Sequence, residues 1–194
     1  MKNNLVWLAG SQGMRLSFAN TQCNSPTMSI TIRQTTDSDW FDLKMIRTQS
    51  LIESPKAFGL SYETVSKYTD EQWQERAGNR TPPMYFIARQ NDVPIGLIGA
   101  VKADKLFNLI AMWVVPKHRG SGVGKALVEK VLSIAESRGE SEVFLFVSPL
   151  NQAACALYEK AGFRFTEHVE ALESHPEILV QRMSVDISST HRQA

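Results

Sequence analysis

The stretch Trp113-Val114-Val115-Pro116-Lys117-His118-Arg119-Gly120-Ser121-Gly122-Val123-Gly124-Lys125-Ala126-Leu127 decides the reading of this chain. It runs from the end of an apolar strand, through a proline that stops it, into a glycine-dense turn and then a helix. The N–H groups of a helix's first turn lack intrahelical partners, and the helix dipole adds partial positive charge there, so such a turn is suited to phosphate. Glycines let the backbone turn tightly and approach a ligand without a Cβ in the way. Arg119 and Lys125 add formal charge at the same point. A Walker loop requires Gly-Lys-Ser/Thr and a further Gly five positions before its second Gly; here Ala126 and Arg119 occupy those places. A dinucleotide fingerprint requires a Gly where Lys125 stands. Both failures point to a different phosphate-bearing ligand.

Upstream, Leu106 to Val115 is a nearly unbroken apolar strand, expected to be buried on both faces. Before it, Met84 to Arg89 and Ile95 to Val101 read as a hairpin across Asn91-Asp92, and Asp104-Lys105 makes a second turn. Thr69 and Gln72 form a capping box for a short helix stopped by Gly78. Thr81-Pro82-Pro83 excludes helix there. Ile30 and Ile32 alternate with polar residues as a first strand. Asp37 offers an N-cap to a helix on which Trp40, Leu43, Ile46 and Arg47 recur at helical spacing. Downstream, Ala126, Leu127, Lys130, Val131, Ile134 and Ala135 share one helical face, and Gly139 stops that helix. Val143 to Val147 is a short strand. Asn151 caps a helix with Ala154, Leu157, Tyr158 and Ala161 inward, ended by Gly162. Phe163 to Val169 and Ile178 to Val185 close the chain as an antiparallel pair. The order β-α-α-β-β-β-α-β-α-β-β describes a mixed α/β fold, a sheet flanked by helices.

The chain has 194 residues, 43% hydrophobic and 21% charged, with a formal net charge of +1. That length suits one domain. The near-neutral charge gives no support for a nucleic-acid partner. The two cysteines, Cys23 and Cys155, have no metal-type spacing, so no metal is expected and a reducing cytoplasm is. No apolar run reaches the length needed to cross a bilayer, so no membrane partner is expected. Residues 1–27 lack periodicity and are expected to be a loosely structured extension; the domain is expected over 28–188, with 189–194 as a tail.

The run 113–127, with its Arg-x-x-Gly-x-Gly after a strand ending Val-x-Pro, resembles the GCN5-related N-acetyltransferase superfamily. A second motif also matches: Asn151, then Ala153-Ala154, then Leu157-Tyr158-Glu159-Lys160-Ala161-Gly162-Phe163. The resemblance spans about residues 29–187. It implies a central mixed, mostly antiparallel, splayed sheet flanked by helices, the GNAT-like acyl-CoA N-acyltransferase fold, and acetyl-CoA as co-substrate. It further implies that the amides of Gly120, Ser121, Gly122, Val123, Gly124 and Lys125 hold the pyrophosphate, framed by Arg119 and Lys125. The backbone of Trp113 and Val114 would pair with the pantetheine arm, Asn151 would contact the cofactor, and Tyr158 would be the general acid that protonates the departing thiolate. Cys155, one turn before Tyr158, reads as core rather than nucleophile, and the Trp113 side chain as core packing.

The resemblance fails at the general base. Family members carry Glu at the position of Asn108 or of Phe146, and neither residue here can take a proton. The base is then another residue, a water chain, or none. Glu53, Tyr62 and Glu63 in the loop after the first helix are the substrate-site candidates, and His168 and His175 flank the closing hairpin. The expected acceptor is a small-molecule amine or a protein N-terminus, and a homodimer stays open. The alternatives are a module that senses acyl-CoA without turnover and an unrelated nucleotide-binding α/β protein.

Overall fold

The computed structural model describes residues 29–103 and 106–188. The expected extension 1–27, the turn at Asp104-Lys105 and the tail 189–194 lie outside the described residues. The elements follow in the order β1 (Ile30–Gln34), α1 (Trp40–Glu53), α2 (Tyr62–Val65), α3 (Asp70–Ala77), β2 (Met84–Gln90), β3 (Val93–Ala103), β4 (Leu106–Val114), α4 (Val123–Ser137), β5 (Glu142–Val147), α5 (Gln152–Lys160), β6 (Arg164–Leu172) and β7 (His175–Asp186). This is the order read from the sequence with one addition. Helix α2 is a single turn capped by Ser61, whose hydroxyl accepts from Thr64 N–H; four residues are too few for periodicity to register.

The local signals explain most boundaries. Thr69 and Gln72 cap α3 reciprocally, and Asn151 accepts from Ala154 N–H at the head of α5. Gly139 and Gly162 take positive φ after α4 and α5. Asn91 and Asp92, with φ of 50° and 63°, make the two-residue turn between β2 and β3, whose left-handed backbone matches the twist of the flanking strands. The start of α1 departs from expectation. Asp37 does not cap it; a one-turn 3-10 segment over Asp37–Asp39 comes first, with Thr36 and Asp39 capping each other. The Asp37 carboxylate is instead drawn to Arg80.

The strands form one sheet in the order β1-β2-β3-β4-β5-β7-β6. Every neighbouring pair is antiparallel except β4–β5, so the sheet is mixed and mostly antiparallel. Helices α1 and α3 cover one face, over Leu43, Leu51, Trp73, Tyr85, Ile87, Leu97 and Trp113. Helices α4 and α5 cover the other, over Phe86, Ile98, Phe107, Leu127, Val131, Leu145 and Phe163. Each large apolar side chain fully buried this way contributes about 1.5–3 kcal/mol before entropy is counted. A partly buried ion cluster that the sequence did not announce fixes the start of α1: Arg89 reaches Asp39 and Asp42, both at 2.8 Å, and Arg33 grips Asp39 with two bonds of 2.7 Å.

Two irregularities in β4 shape the molecule. Its parallel pairing with β5 is confined to Phe107↔Val143 and Asn108↔Phe144, while β4 stays paired to β3 as far as Val114 and β5 stays paired to β7 as far as Val147. Beyond Asn108 the two central strands therefore diverge. In addition, Leu97 faces Trp113 but Gly99 faces Ile110, which leaves a bulge carrying Ala111 at φ 53°. The expectation of burial on both faces holds for Phe107, Leu109, Trp113 and Val114, but Ile110 to Met112 are only half-buried, because they line the gap between the strands.

Candidate active site

The gap between β4 and β5 opens into a cavity of about 470 Å³. Leu109 to Met112 form one wall, Leu145 to Ser148 the other, and Asn151 at the head of α5 contributes with Ala154 and Tyr158 of that helix. A diverging strand presents backbone groups with no neighbour to meet them. Val115 N–H donates to Ile95 O on β3. Strand alternation then turns the peptide groups of Trp113 toward β3 as well, and those of Val114 toward the gap. The sequence expectation that both residues offer backbone to a ligand narrows to Val114.

The glycine loop adjoins this gap. Gly120 and Gly122 have φ of 76° and 90°, and a Cβ built on either would meet nothing within 4 Å. Both positions thus demand glycine for their backbone and leave open space beside it. Gly122 is the N-cap of α4 and no side chain caps the helix; Ser121 donates to His118 O at 2.6 Å instead. Gly124 has a packing role besides its backbone N–H. A Cβ there would stand 2.9 Å from Met112 Cε and 3.3 Å from Leu157 Cδ2, so the missing side chain eases the packing of α4 against β4 and α5. Val123 turns its side chain into the core. Lys125 is exposed and pairs with Glu129 at 3.4 Å.

Glu53 reaches the site, though not as a base. Its Oε2 accepts from the Trp113 indole N–H at 2.9 Å and from Arg119 Nη2 at 2.8 Å, and Ser54 also donates to it. The hydrogen bonds from Ser54, Trp113 and Arg119 hold its carboxyl at about 2, far too acidic to take a proton from an ammonium group. Arg119 is correspondingly not a free cation: its Nε donates to Val114 O at 3.0 Å. The Trp113 side chain is buried, as expected, and its indole nitrogen ties β4 to the end of α1.

On α5, the Tyr158 side chain is buried, borders the gap and meets Phe163 edge-on at 5.9 Å. Burial raises its phenol above the ordinary value, so the proton is retained. Cys155 is buried with its thiol 3.6 Å from Ser148 O, and burial pushes that thiol up as well. It is a packed core residue.

A second cavity, about 490 Å³, continues from the first across Phe58, Leu109, Ile110, Ala111, Phe146 and Val180. Arg47, Tyr68, Arg76, Tyr85 and Asn108 line it, together with Glu170 and Glu173 of the β6–β7 hairpin. Asn108 and Phe146, the two positions that lack the customary Glu, both line this cavity, and Asn108 Oδ1 is buried without a hydrogen-bond partner. Tyr62 and Glu63 line neither cavity; the short helix turns Val65 inward and leaves both exposed. His168 pairs with Glu170 at 3.3 Å, and His175 bonds Ser174; neither lines a cavity. Arg47, Glu170 and Glu173 carried no motif that could have marked them, since chain segments distant in sequence bring them together. Among the described residues no group of three or more His, Cys, Asp or Glu could hold a metal ion, and no helix is long and apolar enough to cross a membrane.

Comparison with known proteins agrees with this geometry. Residues 48–163 match the model of the acetyltransferase (GNAT) family. Human N-acetyltransferase 8 is 34% identical over 88 residues, 42% of this chain and 39% of that protein. The chain thus spans about two fifths of the length of the curated relatives it matches. The acetyltransferase of GNAT family from Streptococcus pneumoniae superposes with a TM-score of 0.71 at 20% identity, covering 82% of this chain and 99% of that one. The ribosomal-protein-S18-alanine N-acetyltransferase of Escherichia coli does so with a TM-score of 0.61 at 20% identity, covering 86% and 99%. At that identity the two structures establish a shared fold, and the family match covers more than half of the sequence: the chain belongs to the acetyltransferase (GNAT) family.

Proposed function

We propose that the protein transfers an acetyl group from acetyl-CoA to a primary amine of a small molecule or a protein N-terminus. One observation carries this reading: the open edge of β4 at Val114 leads directly to an uncapped, glycine-lined helix start. A long ligand with amides in its middle and a diphosphate at one end fits that sequence of features. Salmonella yncA and Arabidopsis NAA60 have been crystallised with acetyl-CoA.

The amides from Gly120 to Lys125 would hold the pyrophosphate, with Arg119 and Lys125 adjacent and Asn151 at the far wall. The N–H of Val114 would pair with a pantetheine amide as a neighbouring strand would, beside the Val114 carbonyl that already accepts from Arg119. Bound acetyl-CoA supplies a thioester carbonyl open to attack and a thiolate that can leave. The chain's own residues do the rest. Strand N–H groups near Val114 are donors for the carbonyl oxygen as charge gathers on it. Tyr158, kept protonated by burial, gives its proton to the sulfur. With Asn108 and Phe146 in place of a carboxylate, the amine reacts through its neutral fraction and loses its proton to water, and proximity supplies most of the acceleration.

The test is a thiol-release assay with acetyl-CoA and a panel of amines. Release of coenzyme A that depends on added amine is expected. Tight binding of acetyl-CoA with no release for any amine would instead make the protein a sensor of acyl-CoA.

A further inference from the structure

Among the described residues, buried charged side chains are paired, with one exception. Arg89 lies against two carboxylates. Arg47, on α1, is 5% exposed and forms no ion pair among the described residues. Its guanidinium makes one hydrogen bond, Nη1 to Ser50 Oγ at 3.3 Å, and sits 4.6 Å from the centre of the Phe58 ring. A guanidinium carries five N–H donors and stays charged in proteins. Burying it without a counterion is costly unless an anion arrives. Arg47 borders the 490 Å³ cavity. Arg76 borders it too, stacked at 4.1 Å on Tyr68 and bonded only to the carbonyl of Gln72.

We infer that this cavity receives the acceptor, and that Arg47, assisted by Arg76, binds a carboxylate carried by the acceptor amine. The acceptor class is then a small primary amine with a carboxylate and an apolar body, such as a hydrophobic amino acid. The inference rests on the transferase reading and sharpens it. A planar guanidinium matches a carboxylate with two parallel bonds. Phe58, Leu60, Val65, Trp73 and Leu172 line the remainder of the cavity and suit an aromatic or aliphatic side chain. Glu170 and Glu173 also line the cavity but at exposed positions, where water screens them, whereas Arg47 is buried, so the buried end of the cavity is positive. With the carboxylate held there, the amine faces the shared region at Ala111. The N–C bond forms as the C–S bond breaks, the amine's proton leaves to water, the thiolate takes one from Tyr158, and water returns a proton to Tyr158.

Two measurements on the full chain test this. In the thiol-release assay, L-phenylalanine is compared with 2-phenylethylamine, which lacks only the carboxylate. The amino acid should be used with a kcat/KM higher by about tenfold to a hundredfold, from the usual strength of charge-assisted hydrogen bonds. In parallel, calorimetry with coenzyme A present compares N-acetyl-L-phenylalanine with its amide. The carboxylate should bind at least about tenfold tighter to the wild type, and Arg47→Met, which keeps an unbranched apolar stem but removes the guanidinium, should erase that difference. Equal use and equal binding of the paired compounds by the wild type overturn the inference. So does a carboxylate preference that survives in Arg47→Met, or no measurable binding of N-acetyl-L-phenylalanine. A carboxylate preference in calorimetry with no thiol release from any amine leaves the anion site standing and overturns the transferase reading instead.

Discussion

Replacing Tyr158 with Phe removes one oxygen and leaves the ring against Phe163. The buried phenol holds its proton more firmly than a free one, so the acid role proposed for it rests on position and not on a loosened proton. Turnover should fall by roughly tenfold to a thousandfold, the usual range for a positioned acid, while coenzyme A affinity measured by calorimetry stays near wild type. Unchanged turnover would assign Tyr158 to packing. Glu53→Gln acts differently. Glutamine can still accept from the Trp113 indole but loses the charge that steers Arg119. Ion pairs this exposed are worth about 0.2–1 kcal/mol, so coenzyme A affinity should weaken by no more than about fivefold. A loss a hundredfold or greater would show that Glu53 touches the ligand itself. Sequence placed Tyr158, Asn151 and the glycines at the site because each belongs to a local pattern. It named Glu53 only as a substrate-site candidate and could not foresee its partners Trp113 and Arg119, which lie 60 and 66 residues further along the chain. It read Arg47 only as one residue on a helical face, since its isolation depends on which carboxylates other segments withhold.

At the scale of elements, the glycine loop and the bulge in β4 hold the site open. Gly122→Trp should abolish coenzyme A binding, because the space beside Gly122 is empty of protein and an indole would fill it. Gly122→Ala is the control: it pays the same left-handed backbone cost of about 1–2 kcal/mol with a far smaller side chain. A fluorescence titration of both variants separates strain from obstruction, and equal losses would remove the obstruction argument. The helices were legible because Thr69, Asn151, Gly139 and Gly162 punctuate them. Neither the divergence of β4 from β5 nor the bulge at Ala111 was, because 109–114 is as apolar as its flanks. Nothing in its composition records where hydrogen bonding to a neighbour stops. Only the family motifs, read together, implied a splayed sheet.

At the scale of the molecule, α1 is fastened to the sheet at both ends by carboxylates. Asp39 meets Arg33 of β1 and Arg89 of β2 at one end; Glu53 meets Trp113 of β4 and Arg119 at the other. Burial works against ionisation of Asp39, but hydrogen bonds from Arg33 and Thr36 and the charge of Arg89 outweigh it and bring its carboxyl to about 2, from an ordinary 3.8. Glu53 comes to about 2 from 4.5. Both values are lower in the folded state than in the unfolded chain. The stabilisation they provide is therefore present above pH about 4.5 and is lost as pH falls toward 2. Melting temperature should hold steady down to pH about 5 and then drop. The buried Asp39 accounts for on the order of 2 kcal/mol of that loss, and the more exposed Glu53 for less. Asp39→Asn leaves Arg33 without its partner and Arg89 with Asp42 alone, so at pH 7 the variant should melt below the wild type. Once the wild-type carboxylate is protonated the two proteins carry nearly the same group there, and their melting curves should converge between pH 4 and pH 2. A gap that stays constant across that range would mean that Asp39 stabilises through shape rather than charge.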